Sequence, residues 1–407
     1  MEKKDFLSDR YAVLKIRDFR LALAVRLFDG LATQMLTVAV GWQIYELTRD
    51  PLLLGFLGLA GGLPYIGIAL WAGQVVDRGE KSAIIASAEA WTFLGAFGFL
   101  LLALMHKPPL TLIYALVACG SACRSFQWTA LITYMQTVVP TEMFPKAAAW
   151  YTSMWHIATI AGPVIGGLIY GFHGAAAAYG AAALCVLAAF FLTLRMNTLP
   201  VAAIDHKSSG LEDFLSGIRF VFSRQAILAA MSVDMFGMLF GGVDGVLPIF
   251  AGVLGVGATG LGLMRAAPAV GALICALYLA HHQPFQKMGA ASLASLAAFG
   301  LCMIAFAFSQ RFWLSLLILL ASGVVDGISM VMRSSIYQAL TPDHLRGRVA
   351  SVNGIFIRSS NQIGAFESGL AAKLMGLAPS VVFGGCMTLA SVAVAVWTAP
   401  QLRRLRI

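Results

Sequence analysis

The sequence predicts an all-α membrane protein whose twelve membrane-crossing helices form two halves of six. Composition is the first reason: of 407 residues, 59% are hydrophobic and 12% charged, against about 25% charged in an ordinary soluble protein. Mean hydropathy is +0.81. A soluble chain of this length needs charged faces that this one lacks. The second reason is a series of apolar runs, each near the ~20 residues that a helix needs to cross hydrocarbon. They lie at 20–47, 52–76, 82–105, 109–138, 148–172, 174–195, 225–251, 257–280, 288–308, 312–340, 349–375 and 379–398.

The opening MEKKDFLSDRYAVLKIRDFR is charged and amphipathic, unlike a cleavable signal peptide. With the N-terminus cytoplasmic, twelve spans put 19 of the 28 Lys and Arg on the inner side and 4 outside, with 5 inside spans. That asymmetry is the positive-inside pattern. It places both termini in the cytoplasm and explains the net charge of +9 without nucleic acid. The basic surface would face anionic lipid. All six Cys fall in apolar runs without metal-ligand spacing. No metal and no cofactor is therefore expected.

The longest polar stretch, 197–225, divides the halves. The expected organisation is an N-terminal bundle (1–197), a cytoplasmic linker (198–224) and a C-terminal bundle (225–407). Within the linker, Leu211, Phe214, Leu215, Ile218 and Phe222 follow helical spacing, which predicts a short helix on the inner membrane face. A faint repeat relates the halves. Arg124-Ser125 precedes Ala130-Leu131 at the spacing by which Arg333-Ser334 precedes Ala339-Leu340, each in the fourth span of its half. If Pro140 and Pro342 mark equivalent ends, Arg333 sits two turns nearer the cytoplasm than Arg124.

Three kinds of stretch resemble the major facilitator superfamily. GQVVDRGEK (73–81), between spans two and three, resembles its G-x-x-x-D-R loop, and GPVIGG (162–167) in span five its antiporter motif. LPIFAGVLGVGATGLGLMRAAPAVGAL (247–273) and TPDHLRGRVASVNGIFIRSSNQIGAFESG (341–369) are similar to the bacterial exporter branch typified by the enterobactin exporter. The resemblance implies two pseudo-symmetric six-helix bundles alternating access to a central cavity lined by spans one, four, seven and ten. It also implies export of a small molecule against proton entry across the bacterial cytoplasmic (inner) membrane, and we expect a monomer.

Each motif has a physical reading. Gly73 would let spans two and eleven approach closely. Asp77 would face the N-terminus of the eleventh helix, with Arg78 holding it in a latch. Glu80 stands where a basic residue is common, and HHQPFQK (281–287), the equivalent loop of the second half, lacks the Gly, Asp and Arg. Pro163 bends span five, while Gly162, Gly166 and Gly167 present a side-chain-free face. Ordinary helix packing accounts equally well for that face.

Charge inside the spans is the most informative feature. Arg26, Asp29, Glu89, Arg124, Asp234, Asp244, Arg265, Asp326, Arg333, Arg358 and Glu367 would each cost about 2.5–3.5 kcal/mol at mid-membrane. Their sum, roughly 30 kcal/mol, exceeds the ~5–15 kcal/mol that stabilises a typical domain. These groups must face water or one another. Arg26 and Asp29 are three apart and can pair within a helix. Asp326 and Arg333 share a face but lie about 10 Å apart along the axis, so each needs another partner.

On cavity-lining spans, Asp29, Asp234, Asp244 and Asp326 are the candidate proton-coupling residues. Arg26, Gln34, Arg124, Gln127, Trp128, Arg333 and Tyr337 are the candidate cargo contacts. Asp29 is the first choice for coupling, about nine residues into span one. Glu89, Arg265, Arg358 and Glu367 read as packing-network members, and His156 as a neutral, hydrogen-bonded side chain. The function expected is secondary active export of a siderophore or drug-like molecule in exchange for protons. Alternatives are a facilitator or importer of a metabolite and, from another class, a membrane-embedded enzyme or sensor. Against the last, no nucleophile elbow, Walker loop or metal-ligand cluster occurs. Single-cysteine labelling at position 107 should proceed from outside intact cells, and at position 207 only after permeabilisation; the reverse pattern overturns the twelve-span topology.

Overall fold

A computed structural model describes residues 11–105, 107–198, 210–281 and 287–404. Lys207 and the centre of the 281–287 loop lie outside the described residues. Among the described residues there is no strand. The first half holds α1 (Arg17–Thr48), α2 (Pro51–Arg78), α3 (Lys81–Ala103), α4 (Leu110–Val138) and α5 (Phe144–Thr193). The linker forms α6 (Gly210–Ser223). The second half holds α7 (Gln225–Gly241), α8 (Leu247–Val253), α9 (Gly257–His281), α10 (Met288–Ala307), α11 (Phe312–Leu340), α12 (Arg346–Met375), α13 (Leu377–Thr398) and α14 (Pro400–Arg404).

Twelve spans emerge once two elements are read by their backbone. α5 is two helices joined at Gly174, whose φ of 80° suits a residue without a Cβ. The seventh span, expected as one helix over 225–251, is instead interrupted at 242–246. Gly242 is extended, a Cβ on Gly245 would overlap the backbone of Ala365 in α12, and Pro248 restarts the helix in its first turn. Asp244, expected inside a span, falls in this break and is exposed.

Pro140 and Pro342 do occupy equivalent ends. Each opens a single 3₁₀ turn, Thr141–Met143 and Asp343–Leu345, that follows a 29-residue helix. Arg333 therefore sits two turns further along α11 than Arg124 does along α4. α3 begins at Glu80, whose carboxylate accepts the backbone N–H groups of Ser82 (3.1 Å) and Ala83 (2.7 Å) and the Ser82 hydroxyl. A helix N-terminus needs such acceptors, which explains an acid at this position.

The chain forms two compact units, residues 1–40 with 63–205 and residues 41–62 with 206–407. In the first, Phe19, Ile85, Leu131, Tyr134 and Met143 make a close-packed core. There α1 meets α5 through small residues. A Cβ on Gly30 would stand 2.7 Å from that of Ala158, one on Gly162 2.6 Å from that of Gln34, and one on Gly166 2.8 Å from the Cα of Met35. The GPVIGG stretch is thus a helix-packing face, and Gln34, expected in the cavity, packs against it.

In the second unit, Gly55, Gly58 and Gly62 of α2 pack on Gln362, Ala365, Phe366 and Gly369 of α12. Further along α2, in the first unit, a Cβ on Gly73 would meet no atom within 4 Å. Beside the glycine contact, Lys373 Nζ donates to Asp50 Oδ2 at 2.6 Å. α6 docks on α12: Gly217 lies against the Arg348 backbone, and Arg348 Nη1 donates to Ser216 Oγ at 3.1 Å. Val221 joins Ile227, Met231, Val349 and Val352 in a buried cluster. Leu215 and Phe222 remain exposed on α6.

Two ion pairs in this unit join residues far apart in the chain, one buried and one exposed. Arg333 of α11 forms an ion pair with Asp234 of α7, with side chains 8% and 5% exposed. Asp234→Ala should strand a buried guanidinium and cost roughly 3–5 kcal/mol, with much of the loss recovered in Asp234→Leu/Arg333→Leu; thermal unfolding of the three proteins checks this. For Asp50, the hydrogen bond from Lys373 holds the carboxyl below its ordinary range. Stability from a depressed carboxylate is present above its unfolded value and lost as pH falls through the folded one. Lys373→Ala should therefore lower the melting temperature at neutral pH by an amount worth up to about 1 kcal/mol, and the difference should vanish on acidification below the carboxylate range.

A candidate buried charge site

The first unit gathers charge where α1, α3, α4 and α5 contribute side chains at helical spacing. Arg26 and Asp29 stand one turn apart on α1, and Gln127 and Trp128 are adjacent on α4. Tyr151 and Trp155 are four apart on α5, hence on one face. Glu89 is the acid of α3. Arg26 is 2% exposed, Asp29 6%, Gln127 3% and Glu89 0%.

An aromatic cage surrounds Arg26. Its Cζ lies 4.1 Å from the Trp128 ring centre, 4.7 Å from that of Tyr151 and 4.4 Å from that of Trp155. Desolvated cation–π contacts of this kind contribute up to about 2 kcal/mol. Trp128 and Trp155 meet edge to face at 6.0 Å, which fixes the cage. Trp128 therefore acts through Arg26 in this structure, whatever it offers to a cargo.

The acids are joined by an amide. Gln127 Nε2 donates to Glu89 Oε1 in a very short contact, and the Gln127 amide also faces Asp29. Arg26 and Arg124 are the cations acting on Asp29. Arg124 Nη1 in turn donates to Thr33 Oγ1 at 3.4 Å. Five of the residues expected here from sequence, Arg26, Asp29, Arg124, Gln127 and Trp128, come together. Glu89, Tyr151 and Trp155 complete the site and were not assigned to it. The sequence signal for Glu89 was its place as the acid of span three; for the aromatics it was their i, i+4 spacing.

The other candidates are spread out. Arg333 and Asp234 pair as described, and half-buried Tyr337 packs beside the cluster under α6. Asp326 lies elsewhere on α11, with Cys275 of α9 as its titratable neighbour, and its Oδ1 is buried with no hydrogen-bond partner among the described residues. Exposed Asp244 offers its backbone carbonyl to Arg265 Nη2 at 3.1 Å, which ties α9 to the break. Asp77 and Arg78 are both exposed. Among the described residues neither forms an ion pair.

Comparison with known proteins agrees with this architecture. Residues 22–366 match the family model of the Major Facilitator Superfamily. The chain is 26% identical to the enterobactin exporter EntS of Shigella boydii serotype 4, over all of this chain and 97% of that protein. The EntS of Escherichia coli O81 gives the same identity and coverage. Among solved structures, a bacterial homolog of the lysosomal transporter Spinster, inward-facing and occupied, superposes with a TM-score of 0.74 at 14% identity, covering 95% of this chain and 98% of that one. A mutant form of the nucleoside transporter NupG gives 0.73 at 14%, covering 94% and 99%. At these identities the structures establish the fold alone. A twelve-helix fold, a match along most of the chain and full-length exporter relatives make this a multi-pass membrane transporter that belongs to the Major Facilitator Superfamily.

Proposed function

We propose that the protein is a secondary active transporter that exports a small organic molecule, a siderophore or a drug-like compound, in exchange for protons. It works by alternating access as a monomer in the bacterial cytoplasmic membrane, with both termini inside. Its two bundles are 1–197 and 225–407, and 198–224 links them. The observation that carries this reading is the buried site at Arg26, Asp29, Glu89, Arg124 and Gln127. A chain with only structural needs can fill such a position with apolar side chains, whereas groups that must gain and lose a proton cannot be replaced. The full-length likeness to enterobactin exporters supports export over uptake.

Asp29 is the proposed coupling group. Two arginines, a bridging amide and an acid surround it, so its protonation redistributes charge among groups already in contact. Asp77 and Arg78, exposed at the end of α2, are the proposed gate of the inner face. A thermal-shift screen of catecholate siderophores and common antibiotics should first yield a cargo. In proteoliposomes, the pH gradient should then concentrate that cargo with the wild type and with Asp29→Glu. With Asp29→Asn, uphill transport should be lost while exchange at equal concentrations persists. If Asp29→Asn still concentrates cargo, the coupling site lies elsewhere; if the wild type only equilibrates it, the protein is a facilitator.

A further inference from the structure

Coupling through Asp29 alone leaves Glu89 without a task. It sits on α3, 0% exposed. Its Oε1 accepts from Gln127, a neutral donor, and its Oε2 is buried with no hydrogen-bond partner among the described residues. The charged group bearing on it is Asp29, which has the same sign. From α1 the cluster also receives Arg26, and from α4 Arg124, both acting on Asp29. From α5 come Tyr151 and Trp155, both on Arg26. An ionised carboxylate with one neutral hydrogen bond in dry surroundings is among the costliest arrangements a fold can contain. A carboxylic acid in the same place is inexpensive, and its Oε2 is then the O–H.

The amide between the two acids supplies the link. Gln127 has two N–H hydrogens and can donate one to each carboxyl group at once. Two acids held this way titrate as a pair, because ionising one raises the cost of ionising the other. Two arginines are present, so the cluster carries a net charge of +1 with one acid protonated and zero with both ionised.

We propose that Glu89 and Asp29 hold one exchangeable proton between them, bridged by Gln127, with Glu89 as its resting carrier. This rests on the proton-coupled reading above and adds a second residue to it. On release, the Glu89 Oε2–H bond breaks and the proton passes to water entering the opened site; both carboxylates then face the two arginines. On loading, Oε2 takes a proton from water and the bond re-forms. No other bond changes and no electron moves. The aromatic cage holds Arg26 in both states, since three ring faces attract the guanidinium whether or not Asp29 is ionised. A role confined to fixing α3 on α4 would need the Gln127 hydrogen bond but no proton.

The test needs no cargo. The full-length protein in lipid nanodiscs is examined by infrared difference spectroscopy between acidic and alkaline buffer, reading the carbonyl stretch of protonated carboxyl groups. The wild type should show a band that disappears at alkaline pH. Glu89→Gln, nearly isosteric, should abolish it, while Asp29→Asn retains it. Gln127→Leu should keep the band but move it to higher wavenumber, as a carbonyl does on losing its donor. Loss of the band in Asp29→Asn with retention in Glu89→Gln would place the proton on Asp29 and overturn the proposal. So would a wild type with no pH-sensitive band, or an unmoved band in Gln127→Leu, a variant that also carries the test if Glu89→Gln does not fold. Because the band is read without transport, its absence leaves the export reading standing, and a failure of pH-driven transport leaves the band assignment standing.

Discussion

The cost of an unpaired charge away from water governs this structure. Eleven Arg, Asp and Glu residues lie well inside the apolar runs, and the fold gives many of them specific company. Arg333 takes Asp234 from another helix. Arg26 takes three aromatic faces, and Asp29 takes two arginines and an amide. Each choice fixes one helix against another, so the charges act as orientation devices as well as sites. Helices in a bilayer gain little from apolar contact with one another, which leaves close packing and polar partners to set their positions.

Small residues do the complementary work. Where Gly162 and Gly166 face α1, and where Gly55, Gly58 and Gly62 face α12, the backbones approach more closely than any larger side chain would permit. The same economy explains the irregular points. Gly174 turns one long apolar run into two helices, and the 242–246 break lets Gly245 sit on α12 while Asp244 stays exposed. Both interruptions occur at glycines, and at the second Pro248 restarts the helix.

The proposed alternation of this cluster between net charges of zero and +1 would also constrain what it can trade. Losing the proton adds one negative charge, so a cargo exchanged for that proton is favoured if cationic or uncharged. An anion would be drawn to the protonated cluster and would travel with the proton.

The sequence by itself determined the class, the number of spans and the family. Those rest on length, hydropathy and local spacing, which survive in one dimension. It also determined the linker helix, whose apolar positions over 211–222 recur in α6, and the offset of two turns between Arg124 and Arg333, which their prolines mark. Only the tertiary structure decided partners. Asp326 and Arg333 share a helix face, yet Arg333 pairs with Asp234, some hundred residues away in the chain. Gln34 was assigned from its place on a helix, whereas Gly162, which it packs against, lies far along the chain. Glu89 read as a packing residue from its place in span three, and its hydrogen-bonding neighbour comes from another helix. Its partner Gln127 is 38 positions away, and Asp29 is more distant still. Helical periodicity specifies which residues share a face, but which faces meet depends on packing between segments far apart in the chain.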